Sequence, residues 1–509
     1  MAKKSKIVKK QPIHTDSDWN FEILEKYDKE IQRIAKDYLK LDWYPNQIEI
    51  VSSEQMIDAY SLVGLPISYP HWSFGKQFVS NASKYIKGQQ GLAYELVINS
   101  NPCISYNMED NTFCMMVLVM AHAAYGHNSM FKCNYMFKDW TDADTIIDYM
   151  AYAKDFVTKC EEKYGEGEVE MTLDAAHSIM DYGVDKYKKP EISSFKKETE
   201  RLKKIIEAEE ENFDDIWRTL PPVKKSVLGE FKHTVDKFPT QPEENILLFI
   251  EENAPSLPEW KRELLRIVRK VAQYFYPQSQ TKVINEGWAT FVHYLIIHKL
   301  HEEGLVNDGF MLEFYRSHTG VVFQPSYDDP RYSGLNPYTL GFNIFIDIKR
   351  ICENPTEEDR KWFPNLVDKD WLEECTNAMK NYRDDSFISQ YLSPKVIRDM
   401  KLFMIVDEAE NSEFVIGGIH NERGYIKVRE ALSQQYSRNF YIPNIQVTRS
   451  EKFQNRRLTL THDISNGVLL DEDEAMETLA YVNFLWGFPC RLFQVDEKGT
   501  RKTICKIEE

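Results

Sequence analysis

The chain has few of the motifs that usually announce a function. Its eight cysteines are scattered from Cys103 to Cys505 without a CxxC pair. Scattered thiols in apolar surroundings behave as small hydrophobes and point to a reducing, cytoplasmic compartment. No stretch approaches about 20 uninterrupted apolar residues, so no membrane span is expected. Net positive charge is also absent: the formal balance is −17. An acidic surface repels phosphate backbones, which argues against a general nucleic-acid binder. The exception is the start, MAKKSKIVKK, with five lysines in ten residues. No apolar segment follows it, so a solvated basic tail over residues 1–18 is expected rather than a secretory signal.

What is present is core-forming material. Of 509 residues 42% are hydrophobic and 13% aromatic, enough for a large core and two or more domains. Apolar spacing of three and four marks Phe21 to Leu41 as an amphipathic helix. Gly64 to Phe78, with two prolines, two glycines and four aromatics, reads as irregular. Tyr94–Ile98 and Cys103–Tyr106 read as a β-hairpin. Helices are expected over Thr145–Tyr164, Thr172–Lys188, Pro258–Tyr276 and Lys282–Glu303, with a loop over Gln324–Gly341 and further helix to about Pro394. The charge-dense Phe195–Asp215 suggests a solvated helix.

Beyond Met400 the pattern changes to short strands, at Leu402–Val406, Phe414–Ile419, Ile445–Thr448, Arg457–Thr461 and Cys490–Val495, with helices near Gly424–Gln435 and Asp473–Leu485. The expected organisation is a mostly α domain with a small hairpin or sheet over residues 19–399, then a smaller α+β domain over 400–509. The latter carries no histidine cluster and no glycine-rich phosphate loop, so a regulatory or interaction role is expected for it.

Candidate chemistry begins in Phe113–Asn128, FCMMVLVMAHAAYGHN, an apolar run ending on His122 and His127. On a regular helix these rings would point about 140° apart, too far to share an ion. A distortion at Gly126 would bring them together. A plain helix C-terminus, with His127 against the negative end of the dipole, fits the same residues. In Lys282–Glu303, Glu286, Thr290 and His293 share one helix face. Glu286 would complete a His, His, Glu set suited to zinc, or serve as a first-turn glutamate. Asp174, His177, Asp181 and Asp185 fall on one side of the helix expected at Thr172–Lys188. Those carboxylates would raise the basicity of His177, although a solvated acidic face looks the same. His71 and His318 read best as hydrogen-bonded structural histidines.

Several segments resemble the bacterial stage V sporulation protein R (SpoVR-like) family: GLPISYPHWSFGKQF, YELVINSNPCISYNMEDNT, HAAYGHNSMFK, WTDADTIIDYM, INEGWATFVHY, DGFMLEFYRSHTGVV, YSGLNPYTLGF and SFISQYLSPKVIRDMKLF. The resemblance runs from about Trp19 into the C-terminal region. It implies a cytoplasmic bacterial protein linked to spore-cortex formation or, in organisms that do not sporulate, to stress and stationary phase.

A more distant similarity is to gluzincin-type zinc peptidases, in which a hairpin precedes a helix with paired histidines and a later helix carries a glutamate. That likeness implies a zincin-like helical arrangement with His122, His127 and Glu286 as zinc ligands. Ala123 departs from the pattern, because those peptidases place a general-base glutamate there and a methyl accepts no proton. Either His177 or Glu109 takes the catalytic proton-transfer role, or the site binds metal without peptidase activity. The two resulting expectations are a zinc-dependent amide hydrolase and a non-enzymatic regulatory protein that recruits partners such as a stress-linked protein kinase system.

Overall fold

The computed structural model describes residues 11–62, 64–86, 95–187, 238–239, 241–326, 329–402, 404–406, 415–417, 419, 421–437, 441–451, 455–464, 467–496 and 498–508. The basic start MAKKSKIVKK and the charged Phe195–Asp215 stretch lie outside them. The chain divides into two compact units, each discontinuous in sequence. One is built from residues up to Thr158 and from Tyr274–Arg438, the other from Lys159–Gln273 and Asn439–Glu509.

Helices of the first unit follow from caps and apolar spacing. The Asn20 side chain accepts from the Ile23 N–H and opens the Phe21–Asp37 helix, which buries Leu24, Tyr27, Ile31 and Ile34. Thr112 accepts from the Met115 N–H and opens Phe113–Val119, every residue of which is buried. The chain then widens into a π-helical segment, Met120–His127, and tightens again over Asn128–Cys133. The helix does not stop at Gly126, so the plain C-terminus reading is excluded.

Two close backbone approaches set the neighbours of this segment. A Cβ at Gly126 would stand 2.7 Å from Ala289 Cα, on the Lys282–Glu302 helix. A Cβ at Gly287 would stand 2.4 Å from Gly341 Cα, on the Pro337–Glu353 helix. The Lys282–Glu302 helix is therefore gripped on both sides where side chains are missing. The Trp288 indole N–H donates to Ser129 Oγ at 2.9 Å, and Ser129 Oγ donates to the Gly126 carbonyl at 2.8 Å. Thr281 gives this helix no side-chain cap; the buried Asp384 carboxylate accepts from the Val283 and Ile284 N–H groups, both at 2.9 Å.

A three-stranded sheet lies beside the π segment. Strands β2 (Glu95–Ile98) and β3 (Cys103–Met108) form the expected antiparallel hairpin, and β1 (Asn46–Val51) pairs parallel with β3, giving the order β1-β3-β2. Strand β1 was not foreseen, because NQIEIV is short and its parallel partner is more than fifty residues away. The irregular reading of Gly64–Phe78 needs correction at Trp72, where a helix to Ile86 begins. The loop expected to run to Gly341 also gives way earlier, as Asn336 caps a helix from Pro337. A short pair, β4 (Met404–Val406) and β5 (Val415–Gly417), and a helix over Glu422–Tyr436 close this unit.

The second unit carries α+β structure. Strands β6 (Asn444–Ser450), β7 (Leu458–Asp463), β8 (Cys490–Val495) and β9 (Arg501–Ile507) form one sheet in that order. The parallel β7–β8 pair requires a crossover, supplied by the Glu472–Trp486 helix with Leu479, Val482, Leu485 and Trp486 buried. The helix expected over Thr172–Lys188 ends at Ser178, and Ile179 leaves the helical region at φ −120°, ψ 19°. Asp174, His177, Asp181 and Asp185 therefore do not share one helical face.

Asp384 gives this fold a pH signature. Burial pushes its carboxyl up to about 7, against the lowering effect of the backbone donors from Val283 and Ile284. An unfolded aspartate titrates near 3.9. Between those values the native state keeps a proton that the unfolded chain has lost, so this contribution falls as pH rises toward 7. The advantage of wild type over Asp384→Asn in melting temperature should therefore be larger at pH 5 than at pH 8. An advantage that grows with pH would show that Asp384 is ionised in the native fold.

Candidate metal centre

The π segment decides which way the two histidines face. An i→i+5 turn sets residues five apart nearly above one another, where a 3.6-residue turn would splay them. His122 and His127 accordingly meet with ring centroids 4.6 Å apart and planes at 86°, only 3% and 7% exposed. Gly126 lies within the distortion expected there and, lacking Cβ, also lets the Ala289 backbone of the Glu286 helix close in. Glu286 Oε2 lies 3.4 Å from His127 Nε2 and 3.8 Å from His122 Nε2. Glu95 Oε1, from the first residue of β2, lies 3.3 Å from His122 Nε2.

These contacts are close without being hydrogen bonds. His122 Nε2, Glu286 Oε2 and Glu95 Oε2 are buried and have no hydrogen-bond partner. Buried polar atoms without partners are costly and rare. Among the described residues, one group of three or more ligating side chains has donor atoms all within 4.8 Å of one another: Glu95, His122 and His127. The residues fit a cation, because lone-pair donors converge and three of the facing atoms, His122 Nε2, Glu286 Oε2 and Glu95 Oε2, are buried without a partner.

A second layer orients the rings. His127 Nδ1 lies 2.9 Å from Asn285 Oδ1, an acceptor, so Nδ1 carries the hydrogen and Nε2 is left to face Glu286. Behind His122 runs a row of imidazoles, His122 Nδ1 to His293 Nδ1 at 2.9 Å and His293 Nε2 to His318 Nδ1 at 3.0 Å. Tyr338 stacks on the His122 ring at 6.2 Å, with its hydroxyl toward Glu286.

A family model described as SpoVR like protein matches residues 18–441, and one described as SpoVR-like C-terminal domain matches residues 443–497. The chain belongs to the SpoVR family. The Escherichia coli K12 protein named uncharacterized protein YcgB is 53% identical over 484 residues, covering 95% of this chain and 94% of that one. No solved structure matches.

The electrostatics of this SpoVR-family site separate its two carboxylates. Burial raises the Glu286 carboxyl, but the adjoining His127 and His122 outweigh it and hold the group well below the usual range. Burial dominates at Glu95 and pushes it upward, with the charge of Glu286 adding to the effect. Burial would lower the His127 imidazole, yet Glu286 and Asn285 lift it above its ordinary value. His293 is driven well down by burial and then by the neighbouring His122 and His318, and His318 falls to about 4, first through burial.

Of the residues singled out in the sequence, His122, His127 and Glu286 come together. Glu109 is exposed just past β3, its N–H bonded to the Val51 carbonyl. His177 is half-buried one residue before the end of its helix in the second unit. His71 packs against Trp72 and Phe74 with Nδ1 2.6 Å from Ser73 Oγ. His318, read as a single structural ring, belongs to the row behind His122. The residue missed was Glu95, whose signal was a carboxylate opening the short apolar strand ELVI beside the buried helix.

The glycine contact can be tested directly. Gly126→Ala must separate two helices against backbone and should cost about 1–3 kcal/mol, the range for overpacking. Gly75→Ala, where a methyl meets nothing within 4 Å, should be neutral or stabilise by roughly 0.5–1 kcal/mol. Urea unfolding of both variants provides the comparison, and equal midpoints would remove the packing argument.

Proposed function

We propose that His122, His127 and Glu286 hold one divalent ion, zinc by donor type, in a zincin-like pair of helices, and that the centre hydrolyses amide bonds in peptide or cell-wall material. The observation that carries this reading is the convergence of two imidazoles and a carboxylate, with His122 Nε2 and Glu286 Oε2 buried and without hydrogen-bond partners. Bonds of about 2.0–2.2 Å in a tetrahedron separate ligand atoms by roughly 3.3–3.6 Å, close to the spacing of Glu286 Oε2 from the two histidines. When bound, zinc would supply Lewis acidity and lower the pKa of water to about 7.

The chain's own residues do the rest. Asn285 fixes the His127 tautomer, His293 holds the His122 ring, and Tyr338 sets a hydroxyl beside Glu286. Proton transfer by His177 or Glu109 is the part of the proposal that rests on sequence. A base at residue 123 would typically contribute about 10²–10⁴ in rate, and Ala123 forgoes it. A role in sporulation or stress physiology in a cytoplasmic setting is part of the proposal and rests on the resemblance read from the sequence. Among the described residues no helix is long and apolar enough to cross a membrane.

Ala123 also favours a second reading. A centre without that base would serve as a structural anchor in a regulatory protein, whose partners would include a stress-linked kinase system. Metal analysis of purified protein should find about one zinc per chain, the complement of a single mononuclear site. The His122→Ala, Glu286→Ala double variant should lose it. Metal-free wild type after zinc supplementation would dispose of both readings, and partner capture by wild type that is lost together with the metal in the double variant would favour the second over the first.

A further inference from the structure

We infer that Glu95 is a fourth protein donor to the ion held by His122, His127 and Glu286, so that the centre is a two-histidine, two-carboxylate site drawn from three chain elements. The inference rests on the metal reading above and extends it to a residue outside the gluzincin-like ligand set.

Distance comes first. Glu95 Oε1 is 3.3 Å from His122 Nε2, nearer than either contact of Glu286 to the histidines, at 3.4 and 3.8 Å. The donor atoms of Glu95, His122 and His127 all lie within 4.8 Å of one another. Its other oxygen, Oε2, is buried and has no hydrogen-bond partner, and the side chain is 17% exposed. Its placement is set by the sheet, because Glu95 pairs with Asn107 on β3 and β2 packs beside the π segment.

Charge points the same way. A divalent ion with Glu286 alone leaves a net positive centre in a buried pocket, whereas two carboxylates neutralise it. In a low-dielectric interior the neutral set is favoured, and a buried carboxylate without a counter-charge is costly.

Four protein donors fill a zinc tetrahedron, and catalytic zinc sites keep one position open. Glu95 is the donor placed to vacate that position. His122, His127 and Glu286 sit on helices that meet backbone to backbone at Gly126 and Ala289, while Glu95 opens β2, an edge strand of its sheet.

Cobalt(II) binding to the full-length chain tests this, read by affinity and by the visible absorption of the bound ion, which reports its donor set. Glu95→Gln should weaken cobalt binding more than Asn285→Ala, which removes only a ring partner and should cost about 10- to 100-fold. It should also change the visible spectrum, with the metal-free melting temperature unaltered. Glu95→Asp, which withdraws the carboxylate by one methylene, should change both readouts in the same direction and covers the case in which Glu95→Gln folds poorly. Wild-type affinity and spectrum in these variants would overturn the role of Glu95 and leave the three-ligand reading standing. Failure of wild type to take cobalt or zinc would overturn both.

Discussion

Everything proposed for the first unit depends on five residues separating two imidazoles along a helix that has been locally widened. With 3.6 residues per turn His122 and His127 would diverge, and no carboxylate could face both. The π turn aligns them, and π turns inside α-helices recur at functional positions because they give up regular hydrogen bonding for placement of a side chain. The surrounding core holds the segment in place: all of Phe113–His127 is buried, and the Lys282–Glu302 helix presses its backbone onto Gly126.

Much of this was legible in the residues. The apolar run, the histidine spacing and the Asn-Glu-Gly-Trp-Ala helix start located three side chains that do converge, and the hairpin and most helices fell where caps and spacing put them. The π turn was legible only as one of two alternatives, a distortion at Gly126, since a regular helix that ends there accounts for the same letters. Glycine there suggested local freedom, and the fold adds a tertiary use, room for Ala289, which no local rule encodes. Glu95 escaped for a related reason. A charged residue opening a short strand reads as an edge feature until the helix packed beside it is known. The Thr172–Lys188 face failed because Ile179 breaks the helix, although no proline or glycine marks the break before Gly183.

The two carboxylates also show how one pocket makes like groups unlike. Glu286 faces both imidazoles and is held ionised; Glu95 meets His122 from the sheet side and is penalised by burial and by Glu286. The imidazole row behind them is kept neutral by the same burial, so it can orient His122 without adding positive charge to the cavity.

The order of the chain through the two units has a consequence for biosynthesis. Lys159–Gln273 leaves the ribosome long before Asn439–Glu509, which supplies β6 to β9 of the same unit. Its helices must wait through the synthesis of Tyr274–Arg438 with apolar faces such as that of Ile246–Asn253 still seeking their sheet. A nascent chain in that condition is a natural client for chaperones, and loss of the last strands would strand material made some two hundred residues earlier.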